Sequence, residues 1–141
     1  MSILLKSPVD ALREYVRQPS VSADPNFNAG VKGAREFAQA RLEELGFEVN
    51  LISTPIHPII LATRGNPSWP RLVIYGHYDV QPADPLELWT SGPFDPVIKK
   101  TEIHPEGAIF ARGSCDDKGQ FYMHVKAFEL MIKTNTLPCN I

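Results

Sequence analysis

One His-x-Asp triplet stands out among the residues that could do chemistry, His77-Tyr78-Asp79, directly after the apolar run of residues 72–75. The run predicts a strand buried on both faces, and Gly76 allows the backbone to turn or to approach another group closely. Side chains at positions i and i+2 of an extended chain point the same way, so the imidazole and the carboxylate can serve one site. A metal ligand and a hydrogen-bonded histidine of the surface or the core both fit this triplet.

A second acidic group lies later in the chain, where Asp116 and Asp117 stand between a predicted strand and a predicted helix. Asp at such a junction is typical of a helix cap, because its carboxylate accepts hydrogen bonds from free backbone N–H groups. Two adjacent carboxylates exceed what a cap requires, and they can also bind cations. The flanking Gly113 and Gly119 indicate a backbone that turns tightly or packs closely. We therefore expect one aspartate to be structural and the other functional.

Alternating helices and strands must position these two groups. The first helix is predicted to take Ser7 as its cap, to bury Val9, Leu12 and Val16, and to end before Pro19. Further helices are predicted at residues 28–45 and 117–133, and strands at residues 47–51, 59–62, 71–75, 97–103 and 108–110. The strands at 59–62 and 71–75 could pair as a hairpin. The pattern predicts an α/β fold, a mixed β-sheet flanked by helices.

Composition limits the classes of function. The chain has 141 residues, a net charge of -2 and 43% hydrophobic residues, which is ordinary for one globular domain or part of one. Scattered charges predict no nucleic-acid or membrane partner, and no apolar stretch approaches the roughly 20 residues of a membrane span. Two isolated cysteines, Cys115 and Cys139, suit a reducing compartment, so the expected location is the cytoplasm.

Three ordered segments resemble the M20 family of co-catalytic zinc peptidases, which includes carnosinase-like dipeptidases, acetylornithine deacetylase and succinyl-diaminopimelate desuccinylase. The segments are residues 76–82 (GHYDVQP), 89–96 (WTSGPFDP) and 111–120 (ARGSCDDKGQ). The segments at 76–82 and 89–96 are most similar to the dipeptidase-like branch. The resemblance implies a catalytic domain of the zinc-peptidase, phosphorylase/hydrolase-like type and the hydrolysis of a small peptide or an N-acyl amino acid.

Residue by residue, the resemblance makes His77 a ligand of one zinc ion and Asp116 the carboxylate that bridges two. It gives Asp79 a catalytic role as the acid that holds His77 in the required tautomer. Two Zn²⁺ ions are implied for a complete site, with Co²⁺ or Mn²⁺ as substitutes. Family members commonly hold the peptide after the bridging aspartate in the cis form, which predicts a cis bond between Asp116 and Asp117.

The resemblance also indicates which groups the 141 residues do not supply. The family's general base and next zinc ligand lie in a Glu-Glu motif on the strand that follows the last helix predicted here, and its lid or dimerisation domain comes later still. Residues 1–141 are therefore expected to be the N-terminal part of a peptidase catalytic domain, without a lid domain. We expect the 141 residues alone to be inactive.

Other candidate ligands are expected to have ordinary roles. His124 shares a predicted helical face with Phe121 and Val125, which favours a buried, hydrogen-bonded histidine. His57 and His104 each precede a proline in predicted loops, where solvent exposure is expected. Cys115 is expected to be a small buried residue.

Two other classes of function also fit the acidic groups. One is a non-catalytic α/β module that keeps His77 and Asp116 for a single metal ion or an anion. The other is a phosphoryl-transfer enzyme that binds Mg²⁺ through the aspartate pair, which is disfavoured because no G-x-x-x-x-G-K-[ST] phosphate loop accompanies it.

Overall fold

The computed structural model describes residues 7–141, and within them the chain forms three α-helices, two short 3-10 helices and four short strands. The helices are α1 (Pro8–Val16), α2 (Asn28–Glu44) and α3 (Lys118–Lys133). The strands are β1 (Glu48–Ile52), β2 (Ile59–Thr63), β3 (Val97–Lys99) and β4 (Ala108–Phe110). The α/β class predicted from the sequence is confirmed.

Helix α1 begins as predicted, because the Ser7 hydroxyl accepts a hydrogen bond from the backbone N–H of Asp10 at 3.2 Å. Its buried face is only partly the predicted one. Val16 is buried, but Ala11 and Tyr15 replace Val9, which is 43% exposed. The Tyr15 ring stacks on Phe37 of α2 with the ring centres 4.7 Å apart. This stacked pair packs Tyr15, which the predicted face of the helix did not include, into the core.

The core lies between the three helices and the first pair of strands. Helix α2 buries Val31, Ala34, Ala38 and Leu42, at the spacing of one helical face. The buried residues that form the largest apolar cluster are Ala11, Leu42, Leu45, Phe47, Tyr122, Val125 and Phe128. Gly46 follows α2 with φ at +75°, a left-handed conformation that glycine adopts without strain.

The strands form two separate antiparallel pairs within residues 7–141. β1 pairs with β2, and β3 pairs with β4. The predicted hairpin between residues 59–62 and 71–75 is wrong. The last two residues instead pair with the chain just after each segment begins or ends, since Arg64 exchanges backbone hydrogen bonds with Ile141 and the Leu72 N–H donates to Asn140 at 2.8 Å.

The apolar run that precedes His77 is not a regular strand in the described part of the chain. Ile74 contacts the core, but Val73 is 82% exposed and Tyr75 is 83% exposed. The prediction of burial on both faces is therefore wrong here. A run of apolar residues becomes a doubly buried strand only where neighbours cover both faces, and among residues 7–141 the backbone pairing of this run ends at Leu72.

The segment after α1 holds the His-x-Asp triplet from one side. The Val80 N–H donates to the carbonyl of Ser20 at 2.9 Å, and the Ser20 hydroxyl donates to the carbonyl of Tyr78 at 2.7 Å. Val21 and Val80 thereby form an isolated parallel bridge. Across the described helices, none has the length and apolar character needed to cross a bilayer.

Candidate metal site

His77, Asp79 and Asp116 come together at the surface of the molecule. His77 Nδ1 lies 3.0 Å from Asp79 Oδ1, and His77 Nε2 lies 3.1 Å from Asp116 Oδ1. The side chains are 33%, 40% and 76% exposed, in chain order. When Nδ1–H donates to Asp79, the Nε2 lone pair faces Asp116 and is free to bind a metal ion.

The spacing of His77 and Asp116 fits two ligands of one metal ion. Two atoms bound to zinc at about 2.0 to 2.2 Å each lie about 3.3 Å apart in tetrahedral geometry. The observed Nε2 to Oδ1 distance of 3.1 Å is close to this value. An imidazole with a fixed tautomer and a carboxylate are ordinary zinc ligands. Both the types of the two side chains and the distance between them therefore fit a zinc ion.

Asp117 has a different role from its neighbour. It occupies the N-cap position of α3, but its side chain makes no capping hydrogen bond. Its Oδ2 instead accepts the backbone N–H of His77 at 3.0 Å. The prediction that one aspartate caps the helix is therefore wrong for Asp117, which instead holds the backbone of His77. The functional role expected of the other aspartate, Asp116, stays a prediction.

The turn that carries the two aspartates has the predicted special backbone. The peptide bond between Asp116 and Asp117 is cis. Gly113 has φ at +82°, and a Cβ on Gly119 would lie 2.1 Å from the carbonyl oxygen of Ser114. Both glycines therefore have the roles that the sequence predicted, a tight turn and a close approach.

The surroundings of His77 favour a positive charge on its ring. Burial alone would lower the pKa of His77, but the hydrogen bonds to the Asp79 carbonyl and the Asp116 carboxylate outweigh it, and the negative charges of Asp79 and Asp117 add to them. The pKa of His77 is therefore raised above its usual value. A metal ion must displace this proton, so binding at Nε2 strengthens as the pH rises through that pKa.

Two residues that the sequence analysis did not single out lie close enough to Asp79 to interact with it, Ser22 by a hydrogen bond and Lys118 through its charge. The Ser22 hydroxyl donates to Asp79 Oδ2 at 2.5 Å, so both oxygens of Asp79 are held. Lys118 is fully buried, and its ammonium donates to the carbonyl of Gln18 at 2.6 Å. Burial lowers the pKa of Lys118 to about 7, although the charge of Asp79 opposes the shift. A lysine in the first turn of a helix is unfavourable beside the positive end of the helix dipole. This unusual position is the feature of the sequence by which Lys118 could have been found.

The other candidate ligands lie elsewhere. His104 is exposed, as predicted, but His124 and Cys115 are also exposed, which corrects the prediction that they are buried. His124 lies at the edge of the buried face of α3, beside the exposed Met123. His57 is half-buried rather than exposed in a loop. Within residues 7–141, no group of three or more His, Cys, Asp and Glu side chains is arranged to hold a metal ion.

We predict that Ser22→Ala weakens metal binding at His77 without unfolding the chain. Loss of the hydroxyl frees one oxygen of Asp79 and loosens the ring that Asp79 orients. Outer partners of a ligand contribute about 10-fold to 100-fold to metal affinity, and Ser22 lies one contact further out, so we expect about a fivefold loss. A Co²⁺ titration followed by the NMR signals of the His77 ring measures it. Ser22→Thr keeps the hydroxyl and should restore most of the affinity; equal losses in both variants would contradict the prediction.

Comparison with known proteins identifies the family. Residues 73–141, which contain His77, Asp79 and Asp116, match Peptidase family M20/M25/M40. The chain belongs to the M20 peptidase family. M20 members are generally metal-dependent hydrolases, so the candidate ligands His77 and Asp116 lie in a chain of a family that uses metal ions.

Individual M20 relatives align along most of the chain. It is 32% identical over 128 residues to succinyl-diaminopimelate desuccinylase of Stenotrophomonas maltophilia, covering 91% of this chain and 31% of that protein. It is also 32% identical over 132 residues to Cys-Gly metallodipeptidase dug1 of Schizosaccharomyces pombe, and this match covers 86% of this chain and 27% of that protein. The structure superposes on human carnosine dipeptidase 1 with a TM-score of 0.81 and 30% identity, over 95% of this chain and 30% of that one. The chain thus spans about a third or less of the length of these M20 relatives.

Proposed function

We propose that this chain contributes His77, Asp79 and Asp116 to a zinc site that hydrolyses a peptide bond or an N-acyl amide bond. The observation that carries the proposal is the pair of contacts on the His77 ring, to Asp79 at 3.0 Å and to Asp116 at 3.1 Å. One nitrogen is held by a carboxylate, and the other faces a second carboxylate at the spacing of two zinc ligands.

Each side chain has a defined task in this proposal. His77 would hold one metal ion through Nε2, and Asp116 would supply its carboxylate to the metal pair. Asp79 fixes the ring and increases the basicity of Nε2, because it accepts the Nδ1 proton. The metal pair, when bound, polarises the scissile carbonyl and lowers the pKa of a bound water. Asp117 keeps the backbone of His77 against the turn that carries Asp116.

The substrate proposed is a dipeptide or an N-acyl amino acid. The proposal is supported by relatives named as a Cys-Gly metallodipeptidase, a carnosine dipeptidase and a succinyl-diaminopimelate desuccinylase. The net charge of -2 gives no attraction for nucleic acid or an anionic membrane surface. Two unpaired cysteines fit a cytoplasmic location.

We further propose that residues 1–141 form the N-terminal part of the catalytic domain and do not hydrolyse substrate by themselves. His77 and Asp116 supply only part of the approximately four ligands that each zinc ion requires. The resemblance places a Glu-Glu pair, with the general base, after α3, and residues 134–141 contain no glutamate.

Hydrolysis assays test both parts of this proposal. The chain and a chimera, in which it replaces the matching segment of the Schizosaccharomyces pombe metallodipeptidase, are loaded with Zn²⁺, Co²⁺ or Mn²⁺. Each is assayed with Cys-Gly, carnosine and N-succinyl-diaminopimelate. We expect no hydrolysis by the chain, hydrolysis by the chimera, and loss of that activity with Asp116→Asn in the chimera. Circular dichroism and size-exclusion chromatography establish that the chimera is folded.

Two results would contradict the proposal. Strong hydrolysis by the 141-residue chain would refute the inactivity of the fragment. A folded, metal-loaded chimera that hydrolyses none of the three substrates would favour the non-catalytic metal-binding module instead.

A further inference from the structure

The segment of residues 18–22, which follows α1, holds the His-x-Asp triplet through two serines. Ser20 is fully buried, and its hydroxyl donates to the Tyr78 carbonyl at 2.7 Å. Two residues later, the Ser22 hydroxyl donates to Asp79 Oδ2 at 2.5 Å. The 18–22 segment therefore fixes both the backbone and a carboxylate of the triplet.

Lys118 joins the same segment to the turn that carries the two aspartates. Its side chain is fully buried, and its ammonium donates to the Gln18 carbonyl at 2.6 Å and lies 5.3 Å from the centre of the Tyr15 ring. Lysine is rarely buried, because an ammonium loses its hydration there and needs a partner. An apolar side chain of the same length would avoid this cost. The hydrogen bond to Gln18 therefore indicates a task for Lys118 beyond packing.

Helix α2 lies against the 18–22 segment so closely that the segment cannot move toward it. A Cβ on Gly30 would lie 2.3 Å from the carbonyl oxygen of Pro19 and 2.7 Å from its carbonyl carbon, so an added methyl group must displace backbone atoms. Gly33 lies one turn later in α2 and differs in this respect. A Cβ on Gly33 would meet only the side chain of Gln18, at its terminal oxygen. The two glycines therefore provide one substitution that displaces the segment and a matched one that does not.

We propose that Lys118 is a positioning residue of the candidate metal site, which anchors the 18–22 segment and thereby holds Asp79 against the His77 ring. The contacts run from the Lys118 ammonium to the Gln18 carbonyl, along the segment to the Ser22 hydroxyl, and from there to Asp79. Without the anchor, Ser22 withdraws and Asp79 no longer keeps the proton on His77 Nδ1. This inference rests on the proposed function, since it assigns a task within that site, but its first test needs neither a metal ion nor hydrolysis.

The first test observes the His77 ring of the isotope-labelled, metal-free chain by ¹⁵N NMR at about pH 8, where the ring-nitrogen shifts report which nitrogen carries the proton. We expect the Nδ1–H tautomer to predominate in the original chain. It should cease to predominate in Lys118→Met, which keeps the length of the side chain but removes the ammonium. Leu42→Ala destabilises the core away from the site and should leave the tautomer unchanged, which separates positioning from a general loss of stability.

A second pair of variants displaces the segment while Lys118 stays in place. Gly30→Ala pushes on Pro19 and should reduce the Nδ1–H tautomer of His77 as Lys118→Met does. Gly33→Ala makes the same substitution in the same helix and should leave the tautomer unchanged, because the Gln18 side chain can move aside. Thermal unfolding shows which variants remain folded, and either Lys118→Met or Gly30→Ala suffices for the test.

Co²⁺ titration of the double variant tests whether Lys118 acts through Ser22. We expect Lys118→Met to lower the Co²⁺ affinity at His77 about fivefold, the loss expected of Ser22→Ala. The double variant should lose no more than either single variant, since both interrupt one chain of contacts. A chain that binds no Co²⁺ at His77 would count against the proposed function, and the tautomer would then decide the present proposal alone.

Three results would overturn the proposal. One is an unchanged His77 tautomer in whichever of Lys118→Met and Gly30→Ala folds, and another is additive losses of Co²⁺ affinity in the double variant. Where neither variant folds, labelling of the original chain with an amine-reactive reagent decides. Lys118 should then react last among the lysines, and labelling as fast as that of Lys32, whose side chain is 66% exposed, would be the third such result.

Discussion

Asp116→Asn lowers the affinity of the chain for Co²⁺ at His77 by at least about 100-fold, because a direct ligand contributes no less than the outer partners that orient it. The amide keeps the size of the side chain but has no negative charge with which to bind the metal ion. Asp116 is 76% exposed, so the substitution leaves the core unchanged and the free energy of unfolding should stay the same. The affinity is measured by following the His77 ring signals during a Co²⁺ titration, and the free energy of unfolding by urea denaturation.

Asp117→Asn is the matched control for this variant. It removes the same charge from the adjacent residue, but the amide oxygen can still accept the His77 N–H that Asp117 accepts at 3.0 Å. We expect the affinity for Co²⁺ to fall by no more than about threefold, which is the effect of removing a nearby, partly screened charge that does not bind the ion. Equal losses in the two variants would show that Asp116 acts through its charge at a distance and not as a ligand.

Gly119→Ala destabilises the chain and disrupts the candidate metal site together. The added Cβ would lie 2.1 Å from the carbonyl oxygen of Ser114 and 3.1 Å from its carbonyl carbon, so a backbone atom must move. Overpacking of this kind costs about 3 kcal/mol. Residues 114–117 must shift to accommodate the methyl group, and they carry both aspartates. We expect a loss of about 3 kcal/mol in urea denaturation, with weaker Co²⁺ binding at His77 in the fraction that remains folded.

Gly92→Ala separates this steric effect from the general effect of replacing a glycine. A Cβ on Gly92 would meet its nearest atom, Asp95 Cβ, at 3.4 Å, an ordinary contact. This variant should be as stable as the original chain or slightly more stable, because alanine reduces the freedom of the unfolded state. If Gly119→Ala matched Gly92→Ala in stability and metal binding, the close approach of α3 to Ser114 would not be needed to place the aspartates.

Local patterns in the sequence predicted most of the helices and their ends. The Ser7 cap and the helices predicted at residues 28–45 and 117–133 all depend on neighbours within a turn or two. Such contacts are encoded in spacing and residue type, which explains why they could be predicted. The position of the strand pair β3 and β4 was also predicted, although the extent of β3 was overestimated.

Long-range contacts account for what the sequence did not predict. Asp117 contacts the backbone of His77, forty positions earlier in the chain, and Lys118 contacts Gln18 one hundred positions earlier. The apolar run before His77 was predicted to be a buried strand, but burial depends on which segments lie beside it. Helix α3 buries Tyr122 and Val125, and His124 lies outside this buried face.

The candidate site combines contacts that the sequence predicted with a contact that it could not predict. His77 and Asp79 were linked by their spacing alone, and Asp116 was joined to them by the resemblance to the M20 family. The structure places the three side chains in contact, and it adds Ser22, whose hydroxyl reaches Asp79. No spacing rule connects Ser22 with Asp79, since the two residues meet only when the segment after α1 lies beside residues 78–80.

The four histidines of the chain allow the most direct test of the metal site, because each reports separately on a paramagnetic ion. Co²⁺ is added in small steps to the isotope-labelled chain at pH 8, and the ring signals of His57, His77, His104 and His124 are followed by NMR. Binding at Nε2 of His77 beside Asp116 predicts that the His77 signals shift or broaden first, at the lowest Co²⁺ concentration, and that Zn²⁺ prevents the change. Co²⁺ that affects all four histidines alike, or His77 last, would contradict the account.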